Sequence, residues 1–143
     1  MSEPRKPLPR IGPDTKPFWD AARNGSLRLP FCSACSRPHW PAGPICPFCL
    51  SDDLAWRDTS GRGEISTYTI VHKAWFPAFA ANGPYNVVQV ELEEGPRITA
   101  NLVEAPPTGP SIGMKVEVVF DPVTPEVTLP RFRPRNVQDH QHD

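Results

Sequence analysis

The stretch CSACSRPHWPAGPICPFC, residues 32–49, decides how this chain folds. It contains two Cys-x-x-Cys pairs, Cys32 with Cys35 and Cys46 with Cys49, separated by ten residues. Each pair can form a tight turn whose backbone N–H groups point toward the thiolates, and two such turns complete a tetrahedron of sulfur ligands. Four thiolates fill the coordination sphere of the metal, so the spacing predicts a structural Zn²⁺ rather than a catalytic one.

Other interpretations of the same segment stay open. The four cysteines could hold iron as in rubredoxin, which would make the protein an electron carrier, or they could form disulfides. His39 lies between the two pairs and could replace one thiolate. Because four thiolates are already present, we expect His39 to be a surface histidine beside Trp40.

Composition limits the class of protein. The chain has 143 residues, of which 38% are hydrophobic and 20 are proline, which favours one small core and many turns and extended connections. Lys and Arg total 15 against 16 Asp and Glu, so the net charge gives no overall attraction to nucleic acid or to an anionic membrane. No stretch reaches the roughly 18 to 20 apolar residues of a transmembrane helix, and the N-terminus MSEPRKPLPR lacks a secretory signal. We expect a cytoplasmic protein without membrane contact, in a reducing compartment where clustered cysteines favour metal.

The N-terminal part predicts an arm, a helix and the ribbon. Residues 1–13 contain four prolines and no periodicity, which is typical of an extended arm that becomes ordered against something else. Asp14 can cap a helix of about three turns that Gly25 closes. Leu27 and Leu29 then alternate with Arg28 in a short strand that enters the first cysteine pair. Helix and zinc ribbon together are predicted to occupy residues 14–56.

Beyond Trp56 the pattern indicates strands. Alternating or β-branched residues predict five of them, at 64–73, 88–92, 98–102, 114–120 and 127–132, with a hairpin turn at 94–96. Five short strands with two long connections favour a Greek-key barrel of the OB type over residues 57–135, followed by a disordered tail at 136–143. A five-stranded sandwich fragment is the alternative. The predicted fold class is therefore mainly β, with an N-terminal helix, a rubredoxin-like zinc ribbon and a five-stranded OB-fold barrel.

The sequence offers no convincing catalytic constellation. It contains no G-x-S-x-G, P-loop, G-x-G-x-x-G or H-E-x-x-H motif, and its cysteines are assigned to the metal. His72 could act as an acid or base, but a single histidine without an orienting partner is more often structural. We therefore expect no catalytic residue, and a chain that is not an enzyme on its own.

Residues 74–85, AWFPAFAANGPY, form the most distinctive loop. Trp75, Phe76, Phe79 and Tyr85 exceed what a loop needs for solubility, so they either cap the barrel core or meet a partner. Lys73 precedes them and could bind phosphate. The favoured interpretation of the remaining local cations is solvated strand charge, and these are Arg97, Arg131, Arg133 and Arg135.

In their order and spacing these segments resemble a family of domain-of-unknown-function proteins that combine a rubredoxin-like zinc ribbon with an OB fold and associate with thiolases. The resemblance covers almost the whole chain. It is carried by KPFWDAARNGSLRL at 16–29, the two cysteine pairs, WRDTSGRGEISTYTIVH at 56–72, PYNVVQVEL at 84–92, IGMKVEVVF at 112–120 and LPRFRP at 129–134.

The resemblance implies a noncatalytic accessory subunit that binds a thiolase-fold enzyme, whether thiolase, aldolase or synthase, and helps form its acyl-CoA site. Some members associate instead with a hydratase of the MaoC type, and known complexes of the family serve acyl-CoA condensation, thiolysis and retro-aldol cleavage, including steroid side-chain metabolism. For acyl-CoA or partner contact we expect Lys73, Trp75, Phe76, Phe79 and Tyr85, since charge-assisted bonds to phosphate are the strong ones.

A single-stranded nucleic-acid-binding module is the competing interpretation, because zinc ribbons and OB folds both occur in such proteins. It requires a basic groove, whereas Glu91, Glu93 and Glu94 crowd the strand region that would face a nucleic-acid backbone. We therefore expect no nucleic-acid partner.

Overall fold

The described part of the chain forms one helix and eight strands. The structure is a computed structural model that describes residues 9–72 and 84–135. The elements in chain order are α1 (Lys16–Arg23), β1 (Arg28–Cys32), β2 (Arg37–Pro38), β3 (Leu54–Asp58), β4 (Arg62–Val71), β5 (Tyr85–Leu92), β6 (Arg97–Ala100), β7 (Lys115–Pro122) and β8 (Thr128–Pro134). None of the helices in the described ranges is both long and apolar enough to cross a membrane.

Helix α1 is shorter than the sequence predicts. Its N-cap is Thr15, whose hydroxyl accepts a hydrogen bond from the Gly12 backbone N–H at 3.3 Å, so Asp14 lies inside a turn and does not cap the helix. The eight residues make a little over two turns rather than three. Gly25 closes the helix as predicted, with a φ of 81° that suits glycine.

The ribbon is a three-stranded antiparallel sheet of order β2-β1-β3. Only β1 is predicted from the sequence. Strand β2 has two residues, and β3 carries too many charged residues for a clear alternation, yet β1 and β3 pair over five positions from Arg28↔Asp58 to Cys32↔Leu54. The pairing brings the first cysteine to the end of the central strand.

The second sheet confirms all five predicted strands. Its order is β6-β5-β4-β7-β8, and every neighbouring pair is antiparallel. A parallel bridge between Leu102 and Phe132 joins the two ends of the sheet, where the Val103 N–H donates to the Phe132 carbonyl at 2.7 Å. This closure curls the sheet into an OB-type barrel.

One continuous core links ribbon and barrel. Phe18 from α1 and Leu29 from β1 belong to the same buried cluster as Val88, Val116 and Phe132 of the barrel. The Phe18 ring also stacks on Trp40 of the ribbon at 4.4 Å between centroids. The ribbon and the barrel thus share one core. The predicted domain boundary at residue 56 stays a prediction.

Candidate functional site

Four sulfur atoms converge at one end of the ribbon. The Sγ atoms of Cys32, Cys35, Cys46 and Cys49 all lie within 4.8 Å of one another. The distances are 3.6 Å for Cys32 to Cys49 and 3.7 Å for Cys35 to Cys46. Zinc–sulfur bonds of about 2.3 Å in a tetrahedron place neighbouring sulfurs about 3.8 Å apart. The arrangement therefore fits a structural zinc ion.

The two cysteine pairs fold into the same backbone turn. The Ser36 N–H donates to the Cys32 carbonyl at 2.8 Å, and the Leu50 N–H donates to the Cys46 carbonyl at 2.9 Å. Both Ser36 and Leu50 take a left-handed φ, 60° and 63°. Backbone N–H groups of Cys35 and Phe48 point at sulfurs, at 3.4 and 3.3 Å. These turns are the knuckles that the spacing predicts.

The thiols of the cluster perturb one another. Burial, together with hydrogen bonds to the neighbouring thiols, raises the pKa of Cys35 to about 12. Burial also opposes ionisation of Cys46, but backbone N–H groups of Cys49 and Phe48 and the adjoining thiols outweigh it and lower its pKa to about 7. Ionisation of Cys46 is thus favoured, whereas ionisation of Cys35 is opposed. A divalent cation supplies the charge that lets all four thiols ionise.

His39 is not a ligand, and its predicted surface position is wrong. Its side chain is only 3% exposed, and neither ring nitrogen has a hydrogen-bond partner among the described residues. Trp40 stacks on Phe18, which holds the neighbouring His39 between ribbon and barrel. The backbone N–H of His39 donates to the Pro30 carbonyl at 3.0 Å. Burial lowers the pKa of His39, so the imidazole stays neutral.

Of the predicted acyl-CoA or partner contacts, only Tyr85 falls in the described part of the chain. Lys73, Trp75, Phe76 and Phe79 lie outside it. Tyr85 begins β5 and lines a cavity of about 540 Å³ at the end of the barrel, together with Ile70, Leu102 and Arg131. The cavity lies beside the end of β4 and the start of β5, the two strands that flank residues 73–83 in the sequence.

A network of polar side chains fixes this end of the barrel. The Asn86 side chain donates to the Leu102 carbonyl at 2.9 Å and accepts from the Leu102 N–H at 2.7 Å, so it replaces a strand partner. Asn101 donates to the Asn86 carbonyl at 2.6 Å and accepts from Arg131 at 3.1 Å. Sequence reasoning missed this network. The available signal was an asparagine within a strand, where asparagine is unfavourable.

The predicted strand cations are all paired with carboxylates. Arg97 and Arg133 pair across neighbouring strands and are exposed, in agreement with the interpretation as solvated strand charge, whereas Arg131 and Arg135 are half-buried. The pairs are Arg97–Glu91 at 3.6 Å, Arg131–Asp121 at 2.9 Å, Arg133–Glu117 at 2.8 Å and Arg135–Glu93 at 3.9 Å.

A four-cysteine ribbon packed on a closed five-stranded barrel defines a zinc-ribbon and OB-fold protein. A family model described as "ChsH2, rubredoxin-like zinc ribbon domain" matches residues 19–55, and one described as "ChsH2, C-terminal OB-fold domain" matches residues 56–121. The chain belongs to this family, whose relatives also carry the name DUF35.

Similar proteins support this family assignment. A "Probable enoyl-CoA hydratase alpha subunit" of Thermomonospora curvata is 38% identical over 134 residues, 94% of this chain and 41% of that protein. A "DUF35 domain-containing scaffold protein" of Methanocaldococcus jannaschii is 40% identical over 91 residues, 62% of this chain and 63% of that protein. The chain thus spans less than two thirds of the length of both. A solved chain of an "Ltp2-ChsH2(DUF35) aldolase" is 38% identical with a TM-score of 0.78, covering 89% of this chain and 98% of that one.

Proposed function

We propose that this chain is a noncatalytic accessory subunit that binds a thiolase-fold enzyme and helps form its acyl-CoA site. The observation that carries the proposal is the similarity to the chain of the Ltp2-ChsH2(DUF35) aldolase, which extends over 98% of that chain. A DUF35 chain is there named together with an aldolase. Among the described residues, the clustered nucleophilic side chains are the four cysteines of the sulfur site. A metal would occupy these thiolates, which supports catalysis by the partner.

The metal has a structural part in this function. Cys32, Cys35, Cys46 and Cys49 would hold Zn²⁺ with all four positions filled, so no position is left for water or substrate. When bound, the ion supplies the positive charge that four thiolates need. The residues around it then fix both knuckles and, through β1 and β3, the packing of the ribbon on the barrel.

Acyl-CoA contact is proposed at the barrel end. Lys73 would meet a CoA phosphate, and Trp75, Phe76 and Phe79 would contact the pantetheine or acyl part. The cavity beside Tyr85 supports this assignment, because its apolar walls include Ile70 near the end of β4 and Tyr85 at the start of β5, the two elements that flank those residues in the sequence.

A hydratase of the MaoC type is the second candidate partner. It is favoured by the 38% identity to the Thermomonospora curvata protein named as a probable enoyl-CoA hydratase alpha subunit. The accessory role and the acyl-CoA ligand stay the same in both cases. The reaction that the partner performs differs.

The test is to purify the tagged chain from its native lysate, identify co-purifying proteins by mass spectrometry and measure zinc in the same sample. A thiolase-fold enzyme supports the proposal, and a hydratase supports the second candidate. A zinc-bearing chain that brings down neither, or that brings down nucleic acid, contradicts both.

The ligand assignment has its own test in the assembled complex. Replacing Lys73 and Trp75 together by alanine should weaken acyl-CoA binding at least about tenfold, because a charge-assisted phosphate contact and an aromatic contact are lost. Lys115→Ala is the matched control, since this exposed lysine pairs with Glu64 on strands away from the cavity. If the complexes of the parent chain, the double variant and Lys115→Ala bind acyl-CoA with equal affinity, the assignment of Lys73 and Trp75 to acyl-CoA contact is wrong.

A further inference from the structure

A cleft of about 860 Å³ lies between the ribbon and the barrel, away from the cavity beside Tyr85. Its ribbon wall is formed by prolines and aromatic rings, including Pro38, Trp40 and Phe48. Its barrel wall is formed by Gln89 of β5, by β6 and by the turn that joins these two strands. A second cavity of about 300 Å³ is lined by Phe18 and Trp19 of α1 and continues between β6 and β8. It shares Trp40 and Thr99 with the cleft, and Asn101 and Arg131 with the cavity beside Tyr85.

Strand β6 borders this groove along its whole length. Arg97 and Thr99 line the cleft, and Ile98, Thr99 and Ala100 line the continuation. Within the described ranges, β6 pairs with β5 alone, and backbone hydrogen bonding to β8 begins at Asn101, whose carbonyl accepts from the Phe132 N–H. The outer edge of β6 therefore has no strand partner over Arg97–Ala100 in the described ranges, and the groove runs beside it. An unpaired strand edge is a template for one more strand.

The cleft presents an apolar anchor point that the fold does not need. Phe48 is 55% exposed although it lines the cleft. The Arg37 guanidinium lies over its ring at 4.9 Å, which holds the ring in place. Leu50 on the same knuckle is 70% exposed but does not line the cleft.

The charges at the rim favour an acidic partner. Arg37 has no carboxylate within 4.0 Å in the part of the chain that the structure describes, and the ion pair of Arg97 with Glu91 is long and exposed. The acidic side chain in the lining is Glu94, whose carboxylate already accepts a hydrogen bond from the Ser60 N–H at 2.8 Å.

We infer that this cleft binds an extended, acidic segment of another polypeptide, which adds as a strand to the outer edge of β6. Its main chain bonds to β6, an apolar side chain packs between Phe48 and Trp40, and a carboxylate reaches Arg37. The strand edge favours a polypeptide over single-stranded nucleic acid, because a sugar-phosphate chain lacks the regularly spaced N–H and C=O groups that continue a sheet. This inference does not depend on acyl-CoA binding.

The test is selection of short linear peptides from a displayed library on the zinc-loaded full chain. Selected peptides should alternate apolar and polar residues and carry Asp or Glu. Their affinity should fall at least about tenfold for Phe48→Ala, the loss typical of a truncated aromatic anchor. Arg37→Glu should weaken them similarly, whereas Leu50→Ala, the matched control, should leave affinity unchanged. Amide hydrogen exchange of β6 should slow in the complex.

Three outcomes overturn the inference. The first is that no selected peptide depends on Phe48. The second is Phe48-dependent binding of an oligothymidylate, which would make the cleft a nucleic-acid site. The third is a dimer in sedimentation that Phe48→Ala dissociates, which would make a second copy of the chain the occupant. Zinc content and circular dichroism of each variant establish that it is folded.

Discussion

Replacing Gly63 by alanine tests how tightly the barrel is curled. Gly63 lies in the central strand β4 and pairs with Leu92 on one side and Val116 on the other. A Cβ atom added to it would lie 2.4 Å from the carbonyl oxygen of Glu91 and 2.8 Å from Cγ1 of Val90. The first contact is with backbone, so no side-chain rotation relieves it. Strand β5 would have to move by about 1 Å to restore an ordinary contact.

The expected cost follows from this movement. Overpacking of a tight site costs about 1 to 3 kcal/mol, and weakening one ladder hydrogen bond adds about 1 kcal/mol. Alanine has less backbone entropy than glycine in the unfolded chain, which offsets about 0.5 to 1 kcal/mol of this cost. We therefore expect Gly63→Ala to lower the free energy of unfolding by about 1 to 3.5 kcal/mol, measured by urea unfolding of the zinc-loaded protein.

Gly43→Ala is the matched control. An added Cβ there meets nothing within 4 Å, and Gly43 is not among the glycines of positive φ. This substitution should be neutral or stabilise by up to about 1 kcal/mol. If Gly63→Ala stays within about 0.5 kcal/mol of the parent protein, or if both variants lose the same stability, the argument from close approach is refuted.

Three further predictions concern the metal, the barrel end and the buried histidine. Cys49→Ser should abolish zinc binding, seen by metal analysis, and should loosen the ribbon, because a structural site of this kind contributes directly to folding; retained zinc would contradict the ligand assignment. Asn86→Ala should lower the free energy of unfolding by about 3 kcal/mol, since it leaves the N–H and C=O of Leu102 unpaired, and urea unfolding measures it. Burial lowers the pKa of His39, so the unfolded chain binds the proton more tightly and stability should fall as pH drops below about 6.5. His39→Phe should flatten that slope between about pH 7 and pH 5.5, and an unchanged slope would mean that His39 does not titrate on unfolding.

Local pattern predicted much of the fold. The spacing of the four cysteines predicted the convergence of their sulfurs, because each pair closes its own turn within a few residues. Alternation predicted the five barrel strands, since burial on one face imposes a period of two along each strand. The same local reasoning placed Gly25 at the helix end.

Errors and omissions arose where distant residues meet. Strand β3 is held by its pairing with β1, which its own composition does not reveal. His39 is buried because Trp40 stacks on Phe18, more than twenty positions earlier in the sequence. The contacts expected from Lys73, Trp75, Phe76 and Phe79 stay predictions.

The sequence by itself determined the four-cysteine cluster, the strand count of the barrel and the order of the two modules, because spacing and periodicity are local properties. Only the tertiary structure decided the barrel closure at Leu102, the hydrogen bonds between the Asn86 side chain and the Leu102 backbone, and the cleft between Phe48 and β6. Each of these depends on side chains or strand edges that come together after the chain has folded, and their contact energies leave no periodic trace in the sequence.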